Sequence, residues 1–283
     1  MLDSKIIIPF IVQALEEDVK DGDHSSLSCI APQTIGESKL IFKSDGILAG
    51  MKLAQSILKY LDSQMEFKQI LNDGDSFKHG DIGLIAKGNT HALLKGERLL
   101  LNCMQRLSAI ATETRKYVDL VKHTKCKILD TRKTTPNLRY LEKWAVTLGG
   151  GYNHRFGLYD MIMLKDNHID FCGGITKALQ KVEAYTKRAG GKPLKIEIET
   201  RNLEEVKEAL ATSIPDRIML DNFSPELLKE AIVLINGVTE TEASGGITLQ
   251  TIAKYAETGV DYISVGALTH GVKSLDISFK TVC

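Results

Sequence analysis

The seven candidate strands in the second half of the sequence each end in residues that could bind or transfer a charged group. Cations follow the early strands, carboxylates follow the middle strands, and glycines follow the last strands. In chain order these residues are Thr131, Arg132, Lys133, His154, Arg155, Lys165, Glu199, Asp221, Ser244, Gly245, Gly246, Gly266 and Ala267. Catalytic groups of α/β barrels collect at the carboxyl ends of the strands. The series therefore predicts one site at one end of a barrel.

The residue types in this series predict a ligand with several negative charges. Arg132 and Arg155 can each bind a carboxylate through two parallel hydrogen bonds, and the lysines add flexible positive charge. The stretches "SGGI" and "VGALTHG" let the backbone approach a phosphate near the start of a helix. Glu199 and Asp221 could accept hydrogen bonds from sugar hydroxyls or bind Mg²⁺. Taken singly, a surface ion pair is the more frequent explanation of each cation, and a helix-capping or structural role explains each carboxylate about as well.

The composition excludes several classes of protein. Lys plus Arg equals Asp plus Glu at 36 each, so no excess charge favours nucleic acid or an anionic membrane. The apolar run "IIIPFIV" is too short to span a membrane and lacks the cleavage site of a signal peptide. Cysteines 29, 103, 126, 172 and 283 show no metal-ligand spacing. We therefore expect reduced thiols in a cytoplasmic protein and no structural zinc.

The elements that must position these residues alternate between strand and helix after Lys125. The candidate strands are "CKILD", "GGGYNHR", "MIMLK", "LKIEIE", "RIMLD", "TETEASG" and "YISVG", with helical patterns in most of the intervals. Such alternation predicts parallel strands with helical crossovers. The interval from Arg155 to Met161 is too short for a helix. We therefore predict an incomplete, seven-strand α/β barrel over residues 111–272.

The first part of the sequence predicts a separate α+β domain over residues 1–110. "KLIFKS" and "GDIGLIAKG" have the character of strands, and "MKLAQSILKYL" has helical spacing. The period-two pattern of "SLDISFKTV" predicts a strand, within residues 273–283, that returns to this domain. A long helix is expected from Glu97 through "ERLLLNCMQRLSAIATETRKYVDLV". Its polar stripe of Arg98, Asn102 and Gln105 is explained by a solvent-facing side, a polar cavity or a subunit contact.

At these residues the chain resembles the quinolinate phosphoribosyltransferase family. The likeness rests on "DTRKTTPNLRYLEKWAVTLGGGYNHRFGLYDMIMLKDNHI" and extends to "DGILAG", "GERLLLN", "EIE", "MLDNF", "SGGI" and "YAETGVDYISVGALTH". The resemblance implies a homodimer whose active sites lie near the subunit boundary. It also implies the Mg²⁺-dependent reaction of quinolinate with phosphoribosyl pyrophosphate. The products would be nicotinate mononucleotide, pyrophosphate and carbon dioxide, in NAD biosynthesis.

The resemblance also assigns roles to residues. Arg132, His154, Arg155 and Lys165 would surround the two carboxylates of quinolinate, and Lys133 and Lys165 would face the pyrophosphate. Glu199 and Asp221 would lie by the ribose and the metal. The 5′-phosphate would be held by Ser244, Gly245 and Gly246 together with Val265, Gly266 and Ala267. Arg98 would reach the active site of the neighbouring subunit.

One residue departs from the family pattern, and other functions stay open. Asn137 stands where the family usually has glycine after "DTRKTTP", and Asn tolerates the left-handed backbone better than most residues. The first alternative is a molybdenum-transport-associated protein of the same fold. The second is a barrel lyase that forms a Schiff base through Lys165 or Lys133. The third is a phosphate-binding protein without catalytic activity.

Overall fold

The computed structural model describes residues 2–188 and 193–282, which form two compact units. The first unit comprises the described residues of Met1–Glu113, Thr147–Gly149 and Val272–Cys283, and the second those of Thr114–Val146 and Gly150–Gly271. The elements up to Val121 are α1 (Ser4–Val19), α2 (His24–Cys29), β1 (Ile35–Phe42), β2 (Gly46–Ile47), α3 (Met51–Leu61), β3 (Glu66–Gln69), β4 (Ser76–Phe77), β5 (Ile82–Asn89) and α4 (Thr90–Val121). Among the described residues, no helix is both long and apolar enough to cross a membrane.

The remaining elements continue the strand and helix alternation. They are β6 (Lys127–Leu129), α5 (Arg139–Leu148), β7 (Ile162–Leu164), α6 (Asp166–Cys172), α7 (Ile175–Arg188), β8 (Ile196–Thr200), α8 (Leu203–Thr212), β9 (Arg217–Asp221), α9 (Pro225–Ile235), β10 (Glu240–Ser244), α10 (Ile252–Ala256), β11 (Tyr262–Ser264), α11 (Ala267–His270) and β12 (Ile277–Thr281).

The first unit is built on an antiparallel sheet with the strand order β12-β1-β5-β3. The predicted C-terminal strand is confirmed, since β12 pairs with β1 and Ser38 lies opposite Thr281. Helix α3 buries Leu53 and Ile57 completely, as its helical spacing predicts. The unit therefore has its own apolar core.

The second unit is an incomplete barrel of six parallel strands in the order β6-β11-β10-β9-β8-β7. Tyr152 forms an isolated parallel bridge with Leu129, next to β6. The predicted strand "GGGYNHR" is thus reduced to a single bridge. Gly150 has φ +93°, which is incompatible with extended backbone, so a regular strand cannot include it. The prediction that residues 155–161 lack a helix is confirmed.

Residues two apart on a strand share one face, and this places charged side chains in layers. On β8, Glu197 and Glu199 share a face, and on β9 Arg217 shares one with Asp221. Strand β10 adds Glu240, Glu242 and Ser244, with Ser244 beside Asp221 and Glu240 beside Arg217 in the register. The carboxyl-end layer of Glu199, Asp221 and Ser244 lines the larger of the two cavities described below. Glu197 and Glu242 lie one layer deeper and are fully buried.

Three helical regions differ from the sequence prediction. Helix α1 was not predicted; it contains Pro9, and Ile7, Ile11 and Leu15 bury one face at helical spacing. Helix α4 begins at Thr90 rather than Glu97, because the side chain of Asn89 caps it by accepting the His91 and Ala92 N–H groups. Helix α6 begins directly after Lys165, in a stretch that the sequence pattern left without a helix.

Candidate active site

Two adjoining cavities open at the carboxyl ends of the parallel strands. The larger has a volume of about 540 Å³ and the smaller about 160 Å³. They share the lining residues Thr131, Lys133, Lys165, Ser244 and Ser264. Every predicted site residue except Arg98 lines one or both cavities. The site residues that were predicted at the strand ends therefore lie together in the structure.

The lining of the smaller cavity combines cations with two thioethers. Arg132 and Arg155 contribute the guanidinium groups, and Met163 and Met219 contribute apolar surface. Burial and the charge of Arg132 lower the pKa of Arg155 below its usual value. Two neighbouring guanidinium groups repel each other unless an anion lies between them. A small planar molecule with more than one carboxylate would satisfy this pocket.

The larger cavity contains the carboxylates and the glycine-rich turns. Lys165 Nζ lies 2.9 Å from Glu199 Oε2 and forms an ion pair at the border between the two cavities. Asp221 Oδ2 accepts a hydrogen bond of 2.5 Å from Asn222 Nδ2. An ammonium group and two carboxylates in one cavity suit a ligand that carries both hydroxyl and phosphate groups.

The backbone at the glycine-rich end adopts left-handed conformations. Gly245 and Gly246 have φ values of +96° and +62°, and Asn222 has φ +58°. A Cβ atom on Gly245 would lie 2.2 Å from Asn222 Oδ1, whereas nothing lies within 4 Å of the corresponding position at Gly246. Only glycine fits at position 245, both for its dihedral angles and for its contact with Asn222. Asn137 also adopts a left-handed conformation, with φ +64°, in the turn where the family usually has glycine.

A buried ion pair positions the backbone of His154. Lys143 and Asp130, both fully buried, form a short ion pair. Lys143 Nζ also donates to the His154 carbonyl at 3.0 Å, and Asp130 Oδ1 accepts the His154 N–H at 2.9 Å. Burial raises the pKa of Asp130 to about 6 even though Lys143 opposes this, and burial lowers the pKa of Lys143. These contacts tie helix α5, the end of β6 and the segment before Arg155 together.

A second charged group lies beneath the smaller cavity, and we call it the interior charge cluster: His154, Glu197, Arg217 and Glu242. His154 Nε2 lies 3.1 Å from Glu197 Oε2 and 3.3 Å from Glu242 Oε2. Arg217 NH1 lies 2.9 Å from the same oxygen of Glu242. The side chains of Glu197 and Glu242 are fully buried, so water does not screen these contacts.

The charges in the interior cluster shift each other's pKa values. Burial opposes the charged imidazole, but the two carboxylates outweigh burial and raise the pKa of His154 to about 9. Burial and the charge of Glu242 raise the pKa of Glu197. Burial also acts to raise the pKa of Glu242, but His154 and Arg217 outweigh it and leave this pKa below its usual value. The cluster therefore retains one proton that isolated groups would release at neutral pH.

Sequence reasoning missed the residues that support the site. Asp130, Lys143, Glu197, Arg217 and Glu242 were not selected, although all of them are buried. The period-two pattern of β8 and β10 carried a usable signal. Because Glu199 and Ser244 line the larger cavity, the residues two positions earlier, Glu197 and Glu242, must lie on the same face of the sheet. Arg98 lies in the first unit on α4 and is exposed. It has no ion-pair or hydrogen-bond partner among residues 2–188 and 193–282.

The donor atoms around the larger cavity fit a hard divalent cation. Glu199 and Asp221 offer carboxylate oxygens from neighbouring strands, and the cavity leaves room for ligand oxygens. In the part of the chain that the structure describes, one group of three or more His, Cys, Asp or Glu side chains has its ligand atoms close enough to hold a metal ion. It consists of His154, Glu197 and Glu242. Arg217 already supplies a cation there.

The thiols of Cys29, Cys103, Cys126 and Cys172 are free, and Cys283 lies outside the described residues.

Comparison with known families gives matches over nearly the whole chain. Residues 110–280 match the family described as quinolinate phosphoribosyl transferase, C-terminal domain. Residues 23–108 match the corresponding N-terminal domain family. The two matches together cover both units.

Individual relatives and solved structures agree with these matches. The probable nicotinate-nucleotide pyrophosphorylase (carboxylating) of Bacillus subtilis (strain 168) is 46% identical, covering 93% of this chain and 89% of its own. The chloroplastic nicotinate-nucleotide pyrophosphorylase (carboxylating) of Oryza sativa subsp. japonica is 45% identical, covering 94% and 75%. The crystal structure of NadC from Streptococcus pyogenes is 41% identical with a TM-score of 0.94, covering 99% and 97%. These comparisons do not support a molybdenum-transport protein or a Schiff-base lyase.

Proposed function

The chain belongs to the quinolinate phosphoribosyltransferase family, and from this membership we propose how its two cavities divide the substrates. The enzyme transfers the phosphoribosyl group of phosphoribosyl pyrophosphate to quinolinate with decarboxylation, in NAD biosynthesis. We assign quinolinate to the smaller cavity and phosphoribosyl pyrophosphate to the larger one. The observation that carries this assignment is the shared border at Lys133 and Lys165, where the two reactants must meet.

Each cavity has the chemistry that its proposed substrate requires. In the smaller cavity, Arg132 and Arg155 bind the two carboxylates of quinolinate, and Met163 and Met219 pack against the ring. In the larger cavity, Glu199 and Asp221 accept hydrogen bonds from the ribose hydroxyls. The turns at Ser244–Gly246 and Val265–Ala267 bind the 5′-phosphate through backbone N–H groups.

The reaction requires positioning and charge stabilisation but no covalent enzyme intermediate. Lys133 and Lys165 bind the pyrophosphate oxygens, which gain negative charge as the bond from oxygen to the ribose C1 breaks. The lone pair of the quinolinate nitrogen forms the new bond to C1. The adjacent carboxylate then departs as carbon dioxide, and the electron pair of the broken bond stays on the ring carbon, where the neighbouring cationic nitrogen stabilises it. A proton then adds to that ring carbon. When bound by Glu199 and Asp221, Mg²⁺ supplies further neutralisation of the pyrophosphate charge.

The test adds two substrates and a metal ion to the purified protein and then omits or replaces one of them at a time. Purified protein, quinolinate, phosphoribosyl pyrophosphate and Mg²⁺ should give nicotinate mononucleotide and carbon dioxide in equal amounts. Nicotinate should be a poor substitute, because it lacks one carboxylate and leaves a guanidinium unpaired. Excess chelator should abolish turnover, Mg²⁺ should restore it, and Mn²⁺ should restore part of it. Full activity in chelator would remove the metal from this proposal.

We further propose a homodimer in which Arg98 reaches the active site of the partner subunit. Exposure and the lack of a described partner make Arg98 available for such a contact. Arg98→Ala and Lys133→Ala homodimers should each be nearly inactive. In a mixed dimer one site carries both defects and the other carries neither, so about a quarter of all sites should recover after random exchange. No recovery after exchange is verified with mass-tagged chains would contradict the shared site.

We also propose a reducing, cytoplasmic location for this chain. The four described cysteines are free thiols, and burial raises the pKa of both Cys103 and Cys126 to about 12. Such thiols are unreactive and compatible with a reducing compartment. The relatives from Oryza sativa and Arabidopsis thaliana are named as chloroplastic, so localisation of a tagged chain in its own cells is the necessary measurement.

A further inference from the structure

Both ring nitrogens of His154 face protein atoms, although its side chain lines the smaller cavity. Nδ1 accepts the backbone N–H of Arg155 at 2.6 Å. Nε2 lies between the carboxylates of Glu197 and Glu242, and the side chain is only 5% exposed. The ring nitrogens are therefore directed at the Arg155 backbone and at the two carboxylates rather than at a substrate.

We propose that His154 is a positioning residue that connects the interior charge cluster to Arg155, rather than a side chain that binds quinolinate through its ring nitrogens. This inference deepens the proposed function and rests on it. Glu197 and Glu242 fix the ring at Nε2, and the ring fixes the Arg155 backbone through Nδ1. Arg155 in turn presents its guanidinium group to the cavity.

The geometry of the cluster explains why the ring has a single orientation. Glu197 and Glu242 lie on β8 and β10, which are separated by β9. Two buried carboxylates that point at each other repel strongly unless a cationic or hydrogen-donating group lies between them. The imidazole Nε2 occupies that place, and a rotated ring would present carbon to both carboxylates. The ring therefore has a strong electrostatic reason to stay where it is.

Arg217 anchors the cluster at the opposite end. Its guanidinium group lies 2.9 Å from Glu242 and 3.1 Å from Glu240, and it stacks 3.9 Å from the ring centre of Tyr262. The hydroxyl group of Tyr262 donates to Glu240 at 3.0 Å. A stacked, doubly paired guanidinium is held in one orientation. Arg217 therefore fixes the Glu242 carboxylate, whose Oε2 also faces His154 Nε2.

Charge balance argues against a metal ion in place of the proton. The cluster contains two carboxylates and one guanidinium, so one further positive charge makes it neutral. The proton associated with His154 and Glu197 supplies that charge. A divalent cation would leave the cluster with an excess of positive charge next to Arg217, in a place that water does not reach.

Arg155 depends on this support because its own side chain has little else to hold it. Its guanidinium group donates one long hydrogen bond, 3.4 Å from NH1 to the Met161 carbonyl. Its backbone position is set by the His154 ring and by the Lys143 and Asp130 contacts to the preceding residue. Weakening the cluster should therefore weaken the binding of quinolinate and leave the phosphoribosyl site unchanged.

The kinetic test compares Glu242→Gln with Glu240→Gln. Glu240 is a matched control, because it lies on the same strand and pairs with the same Arg217 but does not contact His154. Glu242→Gln should raise the KM for quinolinate roughly tenfold. Its kcat and its KM for phosphoribosyl pyrophosphate should stay within about twofold of the parent. Glu240→Gln should leave all three values near those of the parent.

A spectroscopic test reads His154 directly in the parent protein. The protein is labelled with ¹⁵N-histidine, and the His154 resonances are assigned as those missing from His154→Gln. Saturating quinolinate should leave the ¹⁵N shifts of His154 in place, whereas Glu242→Gln should move the Nε2 shift without any ligand. Glu197→Gln serves as a second perturbing variant if Glu242→Gln does not fold. Circular dichroism and thermal unfolding establish that each variant is folded.

Three results would overturn the inference. The first is a large Nε2 shift when quinolinate binds the parent, as a new hydrogen bond to substrate requires. The second is an unchanged quinolinate KM in folded Glu242→Gln. The third is a stoichiometric divalent ion that the parent retains and Glu242→Gln loses. Failure of the proposed function looks different, because the parent would then not convert quinolinate, while the response of His154 to Glu242→Gln would persist.

Discussion

The early and late strand ends of the second unit line the same two cavities, but they present different binding groups. After β6 and around Arg155, long charged side chains line the cavity, and buried ion pairs hold the segment that carries them. After β10 and β11, turns that contain glycine line the cavity, and left-handed dihedral angles at Gly245 and Gly246 set the shape of the first of them. The early ends should therefore respond to the loss of a buried partner, and the late ends to the addition of a Cβ atom.

The largest effect should come from breaking the buried pair at the early ends. Lys143→Met leaves Asp130 as an uncompensated buried charge, which should lower the free energy of unfolding by about 3–5 kcal/mol. Urea unfolding followed by circular dichroism measures this. Lys187→Met on α7 is the control, because its ion pair with Glu183 is exposed and should contribute under about 0.5 kcal/mol. Equal losses in the two variants would show that burial does not matter here.

The next effect should come from changing the shape of a cation while keeping its charge. Arg132→Lys replaces a planar fork by a point charge, so about 2–4 kcal/mol of transition-state stabilisation should be lost. This corresponds to a fall of roughly 30-fold to 1,000-fold in kcat/KM for quinolinate. Arg201→Lys is the control, since Arg201 follows β8 but pairs with Asp170 and Glu205. Near-normal kinetics in folded Arg132→Lys would remove Arg132 from the site.

A smaller effect should separate two adjacent glycines at the late ends. Gly245→Ala adds a Cβ against Asn222 at φ +96°, whereas Gly246→Ala adds one in open space at φ +62°. Backbone strain alone costs about 1–3 kcal/mol, and only Gly245→Ala adds a collision. The KM for phosphoribosyl pyrophosphate should therefore rise more in Gly245→Ala than in Gly246→Ala, with quinolinate binding preserved in both. A larger rise in Gly246→Ala would contradict the geometric argument.

Over a single pH unit, the smallest effect is a dependence of stability on pH that belongs to the early ends. The pKa of His154 is raised in the folded protein from 6.5 to about 9, so its stabilising contribution is complete below pH 6.5 and is lost as pH rises through 9. The slope is at most about 1.4 kcal/mol per pH unit for one proton. Urea unfolding at several pH values should show this decline in the parent and a weaker one in His154→Gln. A decline of the same size in His154→Gln would assign the proton to another group.

Much of the fold could be predicted because the local and global preferences of the chain agree. Helix α7 begins and ends where its apolar spacing does, and α9 begins at Pro225, a residue that suits the first helical position. Helix α1 was not predicted from the sequence, and in it the burial of Ile7, Ile11 and Leu15 outweighs the hydrogen bond lost at Pro9. Tertiary packing determines that this region is helical, and a local sequence pattern does not reveal tertiary packing.

The residues that line the two cavities could be predicted from the sequence, whereas the contacts that support them could not. Arg132 and Lys165 follow recognisable strands, so their common location follows from the barrel geometry alone. The contact of His154 with Glu197 and Glu242 joins strands that are far apart in the sequence, and nothing local indicates it. The sequence also did not show that the ring nitrogens of His154 face the interior charge cluster. That finding depends on the orientation of the His154 side chain, which only the structure shows.

The pairing of β12 with β1 has a consequence for how the chain is made. Because Ser38 lies opposite Thr281, the ribosome must synthesise nearly all of the second unit before the sheet of the first unit can acquire its last strand. Until then β1 is an edge with unpaired backbone groups, which can pair with another chain. Closing so long a loop is also entropically slow. The part of the protein that is translated first is therefore among the last to be completed, and its nascent form is exposed to aggregation.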